Sequence, residues 1–169
     1  MLKMIYLAGF DVFRADSLKH GERLKACCAE QGFEGLYPLD NQAPAGLAGL
    51  ALADWIYRAN IALIRRADLV MANLNPFRGA EPDSGTAFEV GYAIALGKPV
   101  WGYTDQCESL VAQNAVGMAA NAPSRHVDAQ GYTVEDFGLN LNLMLACSAT
   151  IVIGDAHHCL ARIAGSMRA

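Results

Sequence analysis

Five short apolar runs, each closed by a glycine, a proline or a polar turn and each followed by a segment of helical spacing, leave this chain few possible architectures. Residues 5–8 break at Gly9 and residues 33–37 stop at Pro38. Residues 69–74, 100–103 and 150–153 run into turns of the same kind. Between them, residues 17–31 carry apolar side chains at 18, 24, 27 and 28 and end at Gly32. Residues 50–66 place Trp55, Ile56, Ala59, Leu63 and Ile64 near one side. Residues 87–96 are almost wholly apolar and stop at Gly97, with Pro99 just beyond, the usual end of a helix. Residues 139–147 read as helical, and Asp155 is placed to cap a last helix reaching about residue 164. Residues 105–135 read as helix, then loop.

Strands alternating with helices predict an α/β protein with a parallel sheet covered on both faces. The expected form is one Rossmann- or flavodoxin-like domain over residues 1–169, with about five strands. In such a sheet the ligand lies beyond the carboxyl ends of the strands. The loops falling there are residues 9–13, 38–42 and 75–89.

With 53% hydrophobic and 18% charged residues the chain is composed to bury a core, and a net charge of −4 offers no footprint for a nucleic-acid backbone or an anionic membrane. Small molecules are the expected partners. The five cysteines are odd in number, two of them adjacent, with no C-x-x-C spacing, so reduced structural thiols are expected rather than disulfides or a zinc site. The apolar run after Lys3 is too short for a signal peptide, and nothing approaches the roughly 18 apolar residues of a membrane helix. A soluble cytoplasmic protein is expected.

One residue stands out against this background. Glu89 is the only formal charge between Ser84 and Gly97. A carboxylate in so apolar a helix is costly unless something pairs with it or uses it. It would sit in the first turns, where the helix dipole favours an anion. Held in a dry pocket, such a group suits nucleophilic or electrostatic work at a sugar C1 carbon. The plainer reading is an ion pair with a nearby cation such as Arg78. Asp83, before a small-residue turn, is either an N-cap or a site residue. A helix beginning at Asp83 would turn Glu89 to another face, so cooperation requires the helix to open near Thr86. Gly85 and Thr86 form a weak phosphate-cradle candidate. Asp68 reads as a turn or cap residue, His157 and His158 as surface residues, and Tyr6 as either core or a phenol reaching the cleft.

With these residues in hand, the chain resembles the nucleoside 2-deoxyribosyltransferases, in the form found in protozoa and some bacteria. The resemblance rests on IYLAGFDVF (residues 5–13), PLDNQ (38–42), FGLNLNLML (137–145) and, most specifically, NPFRGAEPDSGTAFEVG (75–91). It implies that Glu89 is a nucleophile at C1′ of a 2′-deoxynucleoside, giving a covalent deoxyribosyl-enzyme that a second base resolves with net retention. It implies that Tyr6 aligns Glu89 and that Asp83 holds sugar hydroxyls. Gln42 would meet the nucleobase edge, and Phe10 or Phe13 its face. Gly9, Asp11 and Gly85 belong to the same binding loops. Asn142, with Met144 beside it, would enter from a neighbouring subunit, so a homo-oligomer is implied; no cofactor and no metal are. Several bacterial members carry an aspartate where Asn60 stands here. An amide cannot protonate a leaving base, which leaves Asp11, Asp40 or water as candidates. The alternatives are a 2′-deoxynucleoside 5′-monophosphate N-glycosidase, a phosphoribohydrolase, whose paired glycines are replaced here by Asp83-Ser84, and a nucleotide-binding module.

Overall fold

The computed structural model describes residues 2–120 and 122–168. The chain runs β1 (Lys3–Ala8), a 3₁₀ turn (Phe10–Phe13), α1 (Ser17–Glu30), β2 (Phe33–Leu36), a 3₁₀ turn (Pro38–Asp40), α2 (Gly49–Arg66), β3 (Leu69–Asn73) and α3 (Ser84–Ala95). There follow β4 (Val100–Thr104), α4 (Leu110–Asn114), β5 (Gly117–Ala119), β6 (Ala122–Val127), α5 (Leu143–Ala146), β7 (Thr150–Ile153) and α6 (Ala156–Ser166). The main sheet has five strands in the order β2-β1-β3-β4-β7, and every neighbouring pair is parallel. This is the expected α/β fold.

The strand period of two sorts side chains to the two faces. Ile5 and Leu7 of β1, with Leu69 and Met71 of β3, join Leu24, Cys28, Leu160 and Ile163 from α1 and α6. Tyr6 and Ala8, with Val70 and Ala72, join Leu63, Ile64, Val90 and Ala93 from α2 and α3. Leu160 and Ile163 are both 0% exposed, and burial of side chains of this size contributes about 1.5–3 kcal/mol each. The same alternation sends the Tyr6 phenol toward α2 and α3. From β1 the chain steps to β2 on one side and later to β3 on the other. The switch point between β1 and β3 opens a crevice at their carboxyl ends.

Two stretches differ from expectation. Residues 105–135 do not form helix then loop: after the short α4 they build an antiparallel pair, β5 with β6. A proline and the alanine-rich composition disguise these strands, which tolerate such residues because they form a small sheet of their own. The helix expected over residues 139–147 shrinks to Leu143–Ala146. Asn142 caps it, accepting from Met144 N, while Asn140 Nδ2 is drawn away to Gln106 O. The Asp155 cap on α6 forms as expected, Oδ1 accepting from His158 N at 2.9 Å.

Candidate active site

Three loops and the facing sides of α2 and α3 meet at the switch point. Gly9 ends β1 at φ 151°, a region that favours glycine, and a Cβ there would lie 2.8 Å from Asn73 Cβ. The chain can therefore pass close over the end of β3 only as glycine. Gly9→Ala is expected to cost about 1–3 kcal/mol of stability in urea denaturation and to displace the loop that follows.

Asp83 caps α3: its Oδ2 accepts from Thr86 N at 2.9 Å and from Thr86 Oγ1 at 3.0 Å. The helix opens at Ser84, two residues before the start that cooperation between Asp83 and Glu89 was expected to need. That requirement does not hold. A cap residue lies off the helical spiral, and both carboxylates line one cavity.

Glu89 Oε1 accepts from the Tyr6 hydroxyl at 2.6 Å and lies 3.4 Å from Asn60 Nδ2. Burial is the largest influence on this carboxyl. The hydrogen bond from Tyr6 opposes it, the negative Asp83 adds to it, and the result is a pKa raised from 4.5 to about 7. Burial and the adjacent Glu89 charge push the Tyr6 phenol far above its ordinary range, so it stays a donor. Arg78 does not neutralise Glu89. Its guanidinium lies 4.6 Å from the Phe77 ring centroid and 5.1 Å from that of Phe13, with its own backbone at φ 56°.

The cavity around Glu89 measures about 400 Å³, a small-molecule volume. Of the residues named from the sequence, Gly9, Phe13, Asn60, Asp83 and Gly85 line it. Gln42 does not: it is exposed, and its neighbour Asn41 lines the cavity instead, with its amide nitrogen buried and unpartnered. In the extended chain after the 3₁₀ turn, successive side chains face opposite ways, which puts the first amide inside. Phe10 stacks on Phe77 at 4.9 Å, outside the lining. Asp11 is 5% exposed and committed elsewhere, Oδ2 accepting from Asn73 Nδ2 at 2.9 Å and Oδ1 lying 3.2 Å from His20 Nε2. Asp40 accepts from Lys25 Nζ at 2.6 Å and Tyr37 N at 2.9 Å.

Besides Asn41, most of the missed residues lie on α2. Leu52, Trp55 and Ile56 form an apolar wall of the cavity, with Val12 and Leu39 opposite. Their signal was an apolar stripe on α2 wider than the core uses, since only Leu63 and Ile64 of that helix are buried. Asn142 and Met144 do not join Glu89 within the chain. They line a separate cavity of about 440 Å³ together with Gly91 and Ile94, and Met144 is 71% exposed.

Asp68 is neither the turn nor the cap residue expected: its carboxylate accepts from Met4 N at 2.7 Å, tying the start of β3 to β1, and His157 and His158 are exposed. All five cysteines are free; burial pushes the Cys28 and Cys159 thiols up to about 12. Among the described residues no group of three or more His, Cys, Asp or Glu is arranged to hold a metal ion, and no helix is long and apolar enough to cross a membrane.

The fold and the site together define an α/β protein with a carboxylate-centred small-molecule cavity at its sheet switch point. The model of the family Nucleoside 2-deoxyribosyltransferase matches residues 5–144, and the chain belongs to that family. It is 33% identical to the 2-deoxyribosyltransferase of Leishmania mexicana, with a TM-score of 0.77 over 96% of this chain and 97% of that one. Against the 2-deoxyribosyltransferase of Bacillus psychrosaccharolyticus it is 26% identical, with a TM-score of 0.52 over 62% of this chain and 74% of that one. An uncharacterised protein of Schizosaccharomyces pombe is 37% identical over 107 residues, 59% of this chain and about half (49%) of that relative's length.

Proposed function

We propose that the chain transfers a 2-deoxyribosyl group from a 2′-deoxynucleoside to a second free nucleobase, in nucleoside salvage, through an ester on Glu89. The observation carrying this reading is the Glu89 carboxylate, held by the Tyr6 hydroxyl at 2.6 Å on the floor of a cavity whose wall is apolar. In the first step a Glu89 oxygen bonds to C1′ while the C1′–N bond breaks and the base departs. In the second, a nitrogen of the incoming base takes C1′ and returns the carboxylate. Two inversions leave the configuration unchanged. Asp83 at the cavity edge binds the sugar hydroxyls, and Asn60 holds Glu89 from the α2 side. Asn142 and Met144 act in a neighbouring copy, which fits their place in a cavity apart from the one around Glu89 in their own chain and the exposure of Met144. The free thiols suit a cytoplasmic setting.

Hydrolysis of a 5′-monophosphate is less well supported. Near the first loop Arg14 and Arg23 both bond to Asp16, at 2.9 and 2.8 Å, which leaves a phosphate there the Arg78 guanidinium over the Phe13 ring, a single cation already stacked on two aromatic rings. The test is chromatography of protein incubated with a 2′-deoxynucleoside, with and without a different base. A new deoxynucleoside, formed only when both are present, is expected. Base released at equal rates in both mixtures would mean a hydrolase.

A further inference from the structure

The β5–β6 pair and the strap after it, residues 128–142, stand apart from the cavity around Glu89 and lead directly to the segment that carries Asn142 and Met144. That segment is short. α5 is a single turn of four residues, too little to hold its shape by its own hydrogen bonds. Leu141 and Leu145 are buried in the core shared with α3 and anchor the turn on either side. Asn142 is half-buried between two cavities. One is the cavity of about 440 Å³ against α3, and the other, of about 490 Å³, is lined by Glu81, Asp128 and Glu135 among others. The two leucines fix where the turn lies, but not which way the amide between them points.

Glu135 supplies that direction. Its Oε1 accepts from Asn142 Nδ2 at 2.8 Å and its Oε2 from Leu143 N at 3.0 Å. At its other end, Asn142 Oδ1 accepts from Met144 N at 3.0 Å. A carboxylate offers only acceptors and a backbone N–H only a donor, so the Asn142 amide fits in one orientation. One Nδ2 hydrogen and one Oδ1 lone pair lie outside these bonds, a donor beside an acceptor, which suits a sugar hydroxyl. The small sheet holds Glu135 in turn. Val134 N donates to His126 O of β6 at 2.9 Å, and Val127 bridges to Thr133. Strand β6 thus sets the strap, the strap sets Glu135, and Glu135 sets the amide. Glu81 lines both cavities as well, but it is exposed and, among the described residues, takes no hydrogen bond from Asn142.

Resting on the transfer reaction proposed above and on Asn142 completing the site of a neighbouring copy, we infer that Glu135 is a positioning residue for that neighbouring site. It fixes the amide that one copy presents to the substrate held at Glu89 of the other. Glu135 touches no substrate itself. It acts through Asn142 of its own chain, so its effect falls on the reaction in the neighbour. The β5–β6 pair is then the frame of a shared site. Glutamine is an incomplete substitute: its carbonyl meets one of the two donors, and its NH₂ faces the other. Alanine leaves both donors without an acceptor and the amide free to turn, a misplacement of the kind that costs about 100-fold in rate.

The experiment combines variants within one oligomer. Glu135→Ala is expected to lower kcat/KM for deoxyribosyl transfer by about 10–100-fold, and Glu135→Gln by a smaller factor. Each is then co-expressed with Glu89→Gln, which lacks the nucleophile but keeps Glu135 and Asn142, and hybrids are isolated through two different affinity tags. In a twofold hybrid, one site joins the intact Glu89 of one copy to the intact Asn142 segment of the other, so activity should return to about half that of the parent. A hybrid of Glu135→Ala with Asn142→Ala has no intact segment and should stay low. A change that merely loosened its own chain would not be cured by Glu89→Gln, because the loosened copy must supply the nucleophile. The glutamine variant, of the same size as the parent residue, carries the same test should the alanine variant fail to assemble. Parental activity in both Glu135 variants would overturn the inference and leave the transferase reading intact. So would a Glu135→Ala hybrid with Glu89→Gln that stays low while the Asn142→Ala hybrid with Glu89→Gln recovers. If that Asn142→Ala hybrid also stays low, the shared site fails and the inference falls with it. A parent protein without transfer would remove the proposed reaction and this inference together.

Discussion

Glu89→Gln is expected to abolish transfer and to make the protein more stable at alkaline pH. Loss of a covalent nucleophile lowers turnover by roughly 10⁴-fold or more, because no other group forms the bond to C1′. The stability gain follows from the carboxyl's raised pKa. An unfolded chain releases this proton near 4.5, while the folded protein holds it until about 7. With the folded pKa above the unfolded one, ionisation works against folding. Stability contributed by this group is therefore greatest below pH 4.5 and declines as pH climbs to about 7. Such a gap corresponds to roughly 3 kcal/mol once both states are ionised. The amide of the variant carries no such charge yet keeps an oxygen to accept from Tyr6. Urea denaturation at about pH 8 should therefore show a gain of about 1–3 kcal/mol over the parent, shrinking as pH is lowered toward about 5. Equal stability at both pH values would mean that Glu89 is solvated and that its site is not prepared for nucleophilic work. Glu89→Ala should lose activity to the same degree, with a smaller stability gain because it also leaves the Tyr6 hydroxyl unpaired.

Much of this architecture is legible in the sequence because its signals are local. Runs such as residues 69–74 are too short and too apolar to be anything but buried strands, and they surface as β3, all of whose residues are buried. Glu89 was conspicuous for the same reason: a lone charge in an apolar helix demands an explanation. What could not be read is what depends on direction rather than composition. Asn41 and Gln42 are adjacent amides, and only the backbone path after the 3₁₀ turn decides which faces the cavity. Asp11 sits in the binding loop by sequence, yet its carboxylate turns inward to Asn73 and His20, contacts 62 residues away in one case and across the loop–helix boundary in the other. Trp55 and Ile56 share the helical stripe with core residues, and periodicity alone does not separate a face against the sheet from a face against a cavity. The β5–β6 pair was hidden because alanine, proline and glycine interrupt its strand pattern.

Tyr6→Phe should separate alignment from packing. The phenol is 0% exposed, so the ring belongs to the core whatever its hydroxyl does, and phenylalanine keeps the ring. The substitution removes one hydrogen bond of 2.6 Å to a carboxylate, the kind worth about 1.5–3 kcal/mol. A fall in kcat/KM of roughly 10–100-fold is expected if that bond holds the nucleophile in line. The pH profile supplies the readout that packing would not move. Activity requires the ionised carboxylate, so kcat/KM for the parent should rise with pH and level off above about 7. Hydrogen bonding from Tyr6 favours the ionised form, and it opposes the burial that raises the Glu89 pKa. Without it, burial and Asp83 act with less opposition, and the rising limb should move to higher pH. The variant should then regain part of its lost activity on the alkaline side. A Tyr6→Phe enzyme whose limb stays at the parent's position would show the hydroxyl to be a core ornament, and the alignment of Glu89 would have to come from Asn60 alone.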